Sequence, residues 1–410
     1  MQSPSRSSSP NSLLFSCSAS GFSFSRRAAI PPRRFQPGTR IARNNAKASL
    51  CTGIPRIMDK RMELEKQKES AARFPGLDAY RIVCMLMVVT GHVLLYTGML
   101  ESRGYGTTLL HSFCLPAVPM FVILSGFLLC EKPFSVSRIL TLWLQVLVLA
   151  KGLDVAQGLI CGDWSRLAAG SGYLWFWRTY LALALFTPVL NAGVRHADKT
   201  ELTFSLCVLT VLFPSSLSVH GVLRGRSVAG FVLLYCWGAW AKTRLPPAKR
   251  KGLRFLLAGL ALFAAANARW FLRGDGTGVV PASFWFQNAS PAIVLFSVVA
   301  VDGFAALRAG AKSGWRRILA RFGEAAFPVY VISEHPLAKA FVFGRCLKGL
   351  ACLSSPWSDL AAVLAALGLF LVCSALWFAV SAIVPFKKIR RWFSGIERNV
   401  LFSKNAENSV

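Results

Sequence analysis

Apolar residues along this chain gather in blocks of about twenty, parted by short polar connections. A helix rises 1.5 Å per residue, so about twenty apolar residues cross a hydrocarbon core of roughly 30 Å. The pattern predicts spans at roughly 80–100, 112–130, 138–160, 173–193, 202–218, 227–242, 253–272, 285–307, 325–344 and 358–385. The expected fold class is an all-α integral membrane protein, a bundle of about ten transmembrane helices. No connection is long enough to form a separate soluble domain.

The connections divide by charge. "EKPFSVSR", "RHADKTE", "KTRLPPAKRKGLR", "RAGAKSGWRRILARFGE" and the tail "FKKIRRWFSGIERNVLFSK" are dense in Lys and Arg. "ESRGYGTTLL", "CGDWSRLAAGSG", "SVHGVLRGR", "RGDGTGVVPAS" and "KGLACLSSPW" carry one or two basic residues each. Basic loops stay in the cytoplasm, so the alternation expects both termini there. Residues 1–57 hold no Asp or Glu and many Ser and Arg, a composition that cannot bury a core. They read either as an organellar transit-like segment or as a stretch ahead of the true start, at Met58 or Met62. A charged lead-in over 58–76, a membrane domain over 77–385 and a basic cytoplasmic tail over 386–410 complete the division.

Composition sharpens this picture. Of 410 residues 54% are hydrophobic and only 16% charged, against about 25% charged in a soluble domain. The net charge of +29 would suit nucleic acid, but its scatter over loops between apolar blocks excludes that partner and leaves the lipid bilayer. Eleven Cys form no CxxC pair and no metal-ligand spacing. Cys346 and Cys352 flank a loop placed outside, where a disulfide stays open.

Within this lipid-facing pattern a few polar residues stand out. Arg81 and His92 are eleven residues apart, about 1,100° of helical rotation, so they share one face about 16 Å apart along the axis. Alone, Arg81 reads as a snorkelling flank and His92 as a packed, hydrogen-bonded imidazole. On one face of one span they point to a shared cavity. Asp78, one turn before Arg81, either orients its guanidinium or starts the helix in solvent. Lys151 and Asp154, three apart, are expected to pair. Arg178, Asp302 and Glu334 also fall within spans, where a cavity, helix ends or internal pairs explain them equally. Ser125-Gly126 reads alone as a small-residue packing face, and Trp175 with Trp177 as an interfacial belt. His111, His196 and His220 lie in or beside loops.

The segment "LDAYRIVCMLMVVTGH" (77–92) resembles the first span of the acyltransferase 3 family, with its Leu-Asp-x-x-Arg opening and an arginine followed eleven positions later by histidine: Leu77, Asp78, Arg81, His92. "FVILSGFLL" resembles the family's Phe-x-x-Ser-Gly-Phe element in Ser125, Gly126 and Phe127, with Phe121 one position further upstream than that spacing puts it. "YLWFWRTYLALALFTPVL" resembles a Leu-Trp-Phe segment that ends in proline, here Leu174, Trp175, Phe176 and Pro188. "FGEAAFPVYVISEHPL" resembles a late element in which tyrosine, here Tyr330, leads to His-Pro. Two positions depart from it: the family's serine is Ala326, and the histidine usual three residues after tyrosine is Ser333, with His335 two further on. The basic pair often found after the second span is reduced to Arg138, with Lys132 nearby.

The resemblance implies a membrane O-acyltransferase at the plasma membrane. It would use acyl-CoA, most simply acetyl-CoA, as co-substrate, with no permanently bound cofactor and no metal. The acceptor would be a hydroxyl of a cell-surface saccharide or lipid-linked glycan. His92 and Arg81 are then the catalytic candidates, Arg81 and Arg138 the donor-binding ones, and Asp78, Ser125, Trp175, Tyr330 and His335 the substrate-binding ones. The chemistry agrees: an alcohol attacking a thioester must lose its proton, and imidazole is the base suited to neutral pH. Guanidinium suits the donor's phosphates. Two alternatives remain at this point. One is a proton-coupled transporter with a relay through His92, Asp154 or Asp302, although no inverted repeat is visible. The other is a non-catalytic acyl translocator.

Overall fold

The computed structural model describes residues 74–102, 104–168, 170, 172–215, 227–246, 251–271, 290–307 and 313–407. Expectations for residues 1–57, for most of the 58–76 lead-in, for His220 and for "RGDGTGVVPAS" lie outside these residues.

The described residues are helical and contain no strand. The main helices are α1 (Pro75–Tyr96), α2 (Tyr105–Cys114), α3 (Ala117–Leu129), α4 (Val136–Cys161), α5 (Trp175–His196), α6 (Lys199–Ser215), α7 (Val228–Thr243), α8 (Lys251–Phe271), α9 (Pro291–Ala306), α10 (Ser313–Ser333), α11 (Trp357–Ile383) and α12 (Phe386–Glu407). Their ends obey local rules. Pro75 and Pro291 open α1 and α9, where a missing N–H costs nothing. Ser135 and Ser227 cap α4 and α7 by accepting from Arg138 N and Gly230 N. Gly162 ends α4 in the left-handed region, φ +71°.

A helix falls on each of the predicted stretches, and among the described residues five helical segments are long and apolar enough to cross a membrane: α1, α2 with α3, α4, α8 and α11. Leu159, Leu185, Phe186, Val189, Leu256, Leu364 and Val372 lie exposed on outer faces. Such apolar cover is a liability in water and an asset in lipid. One boundary differs from expectation. The stretch read as a span over 325–344 belongs instead to α10, which begins at Ser313 and takes in the basic run read as a connection. α10 stops before Pro336, because the residue preceding a proline is driven out of the helical region; His335 sits at φ −62°, ψ 139°. The chain then makes one turn (Pro336–Ala338), a π-helical stretch (Lys339–Cys346) and a 3₁₀ turn (Lys348–Cys352). Cys346 and Cys352 are free thiols.

α1 is the hub, packed on α2, α3, α9, α10 and α11. Tyr80, Cys84, Val89 and Val93 are fully buried on it. Two glycines let α3 cross α7 closely. A Cβ on Gly126 would stand 2.0 Å from Tyr235 O, and one on Gly238 2.0 Å from Ile123 O. Only paired glycines permit such contact, which in lipid supplies the close packing that holds helices together. Asn191 of α5 ties the crossing down, donating to Leu129 O at 3.0 Å and accepting from the Tyr235 hydroxyl at 2.8 Å.

α12 follows α11 after Val384 and Pro385 and packs on α4. Glu397 accepts from Val136 N at 2.8 Å and Ser137 N at 3.2 Å, and Ser394 donates to Ser137 Oγ at 2.9 Å. A carboxylate thus satisfies the orphan N–H groups at the positive end of α4.

Candidate functional site

A cavity of about 270 Å³ lies between α1, α3, α4, α5 and α10, close to the smaller ligand pockets of folded proteins. Arg81, His92, Ser125, Arg138, Trp175 and Tyr330 are among its lining residues. Arg81 and His92 therefore meet the same space, as their spacing on α1 requires. Asp78 is buried and accepts from Arg81 Nη1 at 2.6 Å. Its side chain packs where a Cβ on Gly323 would stand, 3.1 Å away, so α10 holds the carboxylate and the carboxylate holds the guanidinium. Arg138 comes from the first turn of α4. Beside it Lys132, in the connection, has its pKa pushed down by burial first and then by Arg138, Arg81 and Arg390. This end of the cavity concentrates positive charge and is suited to an anion.

At the other end of the Arg81–His92 face, His92 meets a group that sequence reasoning placed within a span but gave no role. His92 Nε2 lies 2.8 Å from Glu334 Oε1. The same oxygen accepts from the Tyr96 hydroxyl at 3.0 Å, and Oε2 pairs with Lys339 Nζ at 2.7 Å. Lys339 in turn sits 4.5 Å from the centre of the Tyr96 ring. A buried carboxylate needs such partners, since desolvation would otherwise cost several kcal/mol. An ionised carboxylate only accepts, so Nε2 carries the imidazole proton. Nδ1 lies 3.5 Å from Ser333 Oγ, which donates to Tyr330 O. The signal for this part of the site was present in the late motif: Ser333 holds the position where the family usually has histidine.

Ser125 Oγ reaches Phe121 O at 3.0 Å and the Tyr180 hydroxyl at 3.2 Å. The Tyr330 hydroxyl is buried beside the first N–H groups of α5 yet makes no full hydrogen bond. An unpaired buried hydroxyl costs about 1–3 kcal/mol, which a bound polar group would recover. The tryptophans do not form the expected belt. Trp175 lines the cavity and meets Phe231 edge-on, while Trp177 is buried against Phe327. Their rings fill the space where α5 meets α7 and α10, which hides them from the membrane surface.

His335 does not line the cavity. It is fully buried; Nε2 lies 3.1 Å from Asp154 Oδ1 and Nδ1 accepts from Leu337 N at 3.1 Å. Asp154 Oδ2 pairs with Lys151 at 2.9 Å, as their spacing led us to expect. Tyr173 stacks edge-on against the His335 ring. Asp302 pairs with Lys251 at 2.9 Å, and Arg178 donates to Gly172 O.

Apolar helices long enough to cross a bilayer, around a cavity with guanidinium at one end and a carboxylate-braced imidazole at the other, define a multi-pass membrane protein with a polar site in its interior. The family model described as an acyltransferase domain matches residues 74–381, from the start of α1 nearly to the end of α11. The chain belongs to this acyltransferase 3 family and is an acyltransferase moving groups other than aminoacyl groups. Neither the curated proteins nor the solved structures gave a match.

Proposed function

We propose that the protein is a plasma-membrane O-acyltransferase carrying an acyl group, most simply acetyl from acetyl-CoA, to a hydroxyl of a cell-surface saccharide or lipid-linked glycan. The observation that carries this reading is His92: its Nε2 is braced by Glu334 and its ring lines the cavity that Arg81 and Arg138 also line. Nδ1 takes the proton of the acceptor hydroxyl as its oxygen attacks the thioester carbonyl carbon. The carbon–sulfur bond then breaks and the thiolate leaves, reclaiming that proton from the imidazolium. Glu334 stabilises the imidazolium in between. Arg81, held by Asp78, and Arg138 face the donor's phosphates. Ser125, Trp175 and Tyr330 are the wall on which the reacting groups are aligned.

This reading carries the chain through the bilayer ten times with both termini in the cytoplasm, the donor entering from inside and the sugar from outside. A proton relay fits less well, since Asp154 and Asp302 are each engaged by lysine and neither lines the cavity. Mass spectrometry of surface glycans from cells with and without the gene tests the function. A gene-dependent acetyl or longer acyl mass increment that disappears with His92→Ala is the expected result; identical glycan masses would overturn it. Reporter fusions at Val410 test the topology, an extracytoplasmic signal there removing a span.

A further inference from the structure

The residues of α12 sort cleanly by face. Phe386, Ile389, Phe393 and Glu397 repeat at three- and four-residue steps and turn toward the bundle, where Glu397 is fixed on the α4 backbone. Lys387 reaches Glu324 of α10 at 3.7 Å. With its roll set by these contacts, the helix presents Lys388, Arg391, Trp392, Ile396 and Arg398 outward. Trp392 is 64% exposed and Ile396 44%. An exposed indole and isoleucine flanked by three cations make a poor face for water and a good one for the boundary between headgroups and acyl chains. Only Val384 and Pro385 separate α12 from Ile383, the last residue of the apolar α11, so the helix begins at the membrane surface.

We propose that this outward face binds anionic phospholipid headgroups, with Trp392 and Ile396 seated among the upper acyl carbons and Lys388, Arg391 and Arg398 on the phosphates. The proposal rests on the reading that α11 crosses the bilayer. It commits to lipid because the cations and the apolar side chains occupy one face that starts where the last span ends. A soluble acidic partner would leave Trp392 and Ile396 without an apolar environment.

The test uses the purified full chain in detergent, titrated with phosphatidylglycerol or phosphatidylcholine and read by native mass spectrometry. Wild type should retain phosphatidylglycerol in preference. Each surface cation strengthens anionic-lipid binding by about fivefold, so K388Q/R391Q/R398Q should weaken phosphatidylglycerol retention by on the order of tenfold to a hundredfold and leave phosphatidylcholine unchanged. K388R/R391K/R398K, which keeps the charge, should bind like wild type. The three side chains are exposed, and an unchanged melting temperature in detergent would certify the fold. Equal retention of both lipids by wild type, or an undiminished preference in the glutamine variant, overturns the proposal. So does a concentration-dependent dimer that Trp392→Ser abolishes without any lipid preference, which would give the face to a second copy of the chain. Detergent exposes both sides of the protein, so a wrong orientation of the C-terminus would fail the reporter fusions and not this titration.

Discussion

Glu334 and His335 are adjacent, yet they serve two separate clusters of the same composition. Each cluster joins a histidine, a carboxylate and a lysine: His92 with Glu334 and Lys339, and His335 with Asp154 and Lys151. The difference is access. His92 is 15% exposed and lines the cavity, with Nε2 braced by Glu334. His335 is fully buried and spends both nitrogens, one on Asp154 and one on the N–H of Leu337. A general base needs a free lone pair within reach of a substrate. Only the first cluster reaches the cavity, so the proposed chemistry is placed there and architecture in the second.

The hardest blow to this division would come from the histidines. His92→Ala should lower turnover by about 10²–10⁴-fold, with abundance in the membrane unchanged, whereas His335→Ala should lower abundance and melting temperature first. An alanine variant at 92 acylating near the wild-type rate would merge the two clusters into one structural class. Asp154→Ala leaves the buried His335 Nε2 without its carboxylate, while Lys151 keeps Leu167 O at 3.0 Å, and should cost about 1–3 kcal/mol of stability, read as a fall in melting temperature in detergent. A stable Asp154→Ala protein with a shifted pH–rate profile would instead make the second cluster catalytic.

Smaller effects sharpen the picture at the basic end. Arg81→Ala should raise the donor KM by on the order of tenfold to a hundredfold, with Arg81→Lys rescuing part of it. An unchanged donor KM with lower turnover would move Arg81 to the reacting atoms. The smallest expected effect concerns α12. Burial raises the Glu397 pKa, but the N–H groups of Val136 and Ser137 outweigh it and hold the carboxyl below its ordinary 4.5. A depressed folded value stabilises docking fully above about pH 4.5 and loses that contribution as pH falls through the folded pKa. Protease cleavage within α12 should therefore rise in wild type on acidification below about pH 4.5. Glu397→Gln should be cleaved more readily at neutral pH and change little on acidification; parallel acid responses in both would exclude this capping contact as the cause.

What the sequence revealed was what a single helix can encode. Arg81, His92 and Asp78 were readable because helical rotation alone places them together, and Lys151 with Asp154 for the same reason. Contacts across the bundle were not. Glu334 is 242 positions from His92 and Asp154 is 181 from His335, and no periodicity carries information over such distances. Trp177 misled because an indole near a span's end fits an interfacial belt and a packed interior equally. The boundary of α10 was misplaced because its Lys- and Arg-rich start reads as a loop when charge alone is weighed, while Pro336, the true stop, was taken into the span.

At the crossing of Gly126 and Gly238 there is no slack. Backbone meets backbone, and Asn191 pins α5 to both helices. The wall that carries Ser125 is thus fixed, and a molecule too large for the resting cavity finds no relief there. Beyond α10, Lys339 begins a π-helical stretch, where Leu347 N reaches back five residues to Val342 O at 2.9 Å, a wider turn that is rare in helices and frequent at functional sites. Lys339, the first residue of that stretch, is also what holds Glu334, at 2.7 Å. Any shift of that turn would carry Lys339 away from Glu334 and so loosen the carboxylate that braces His92.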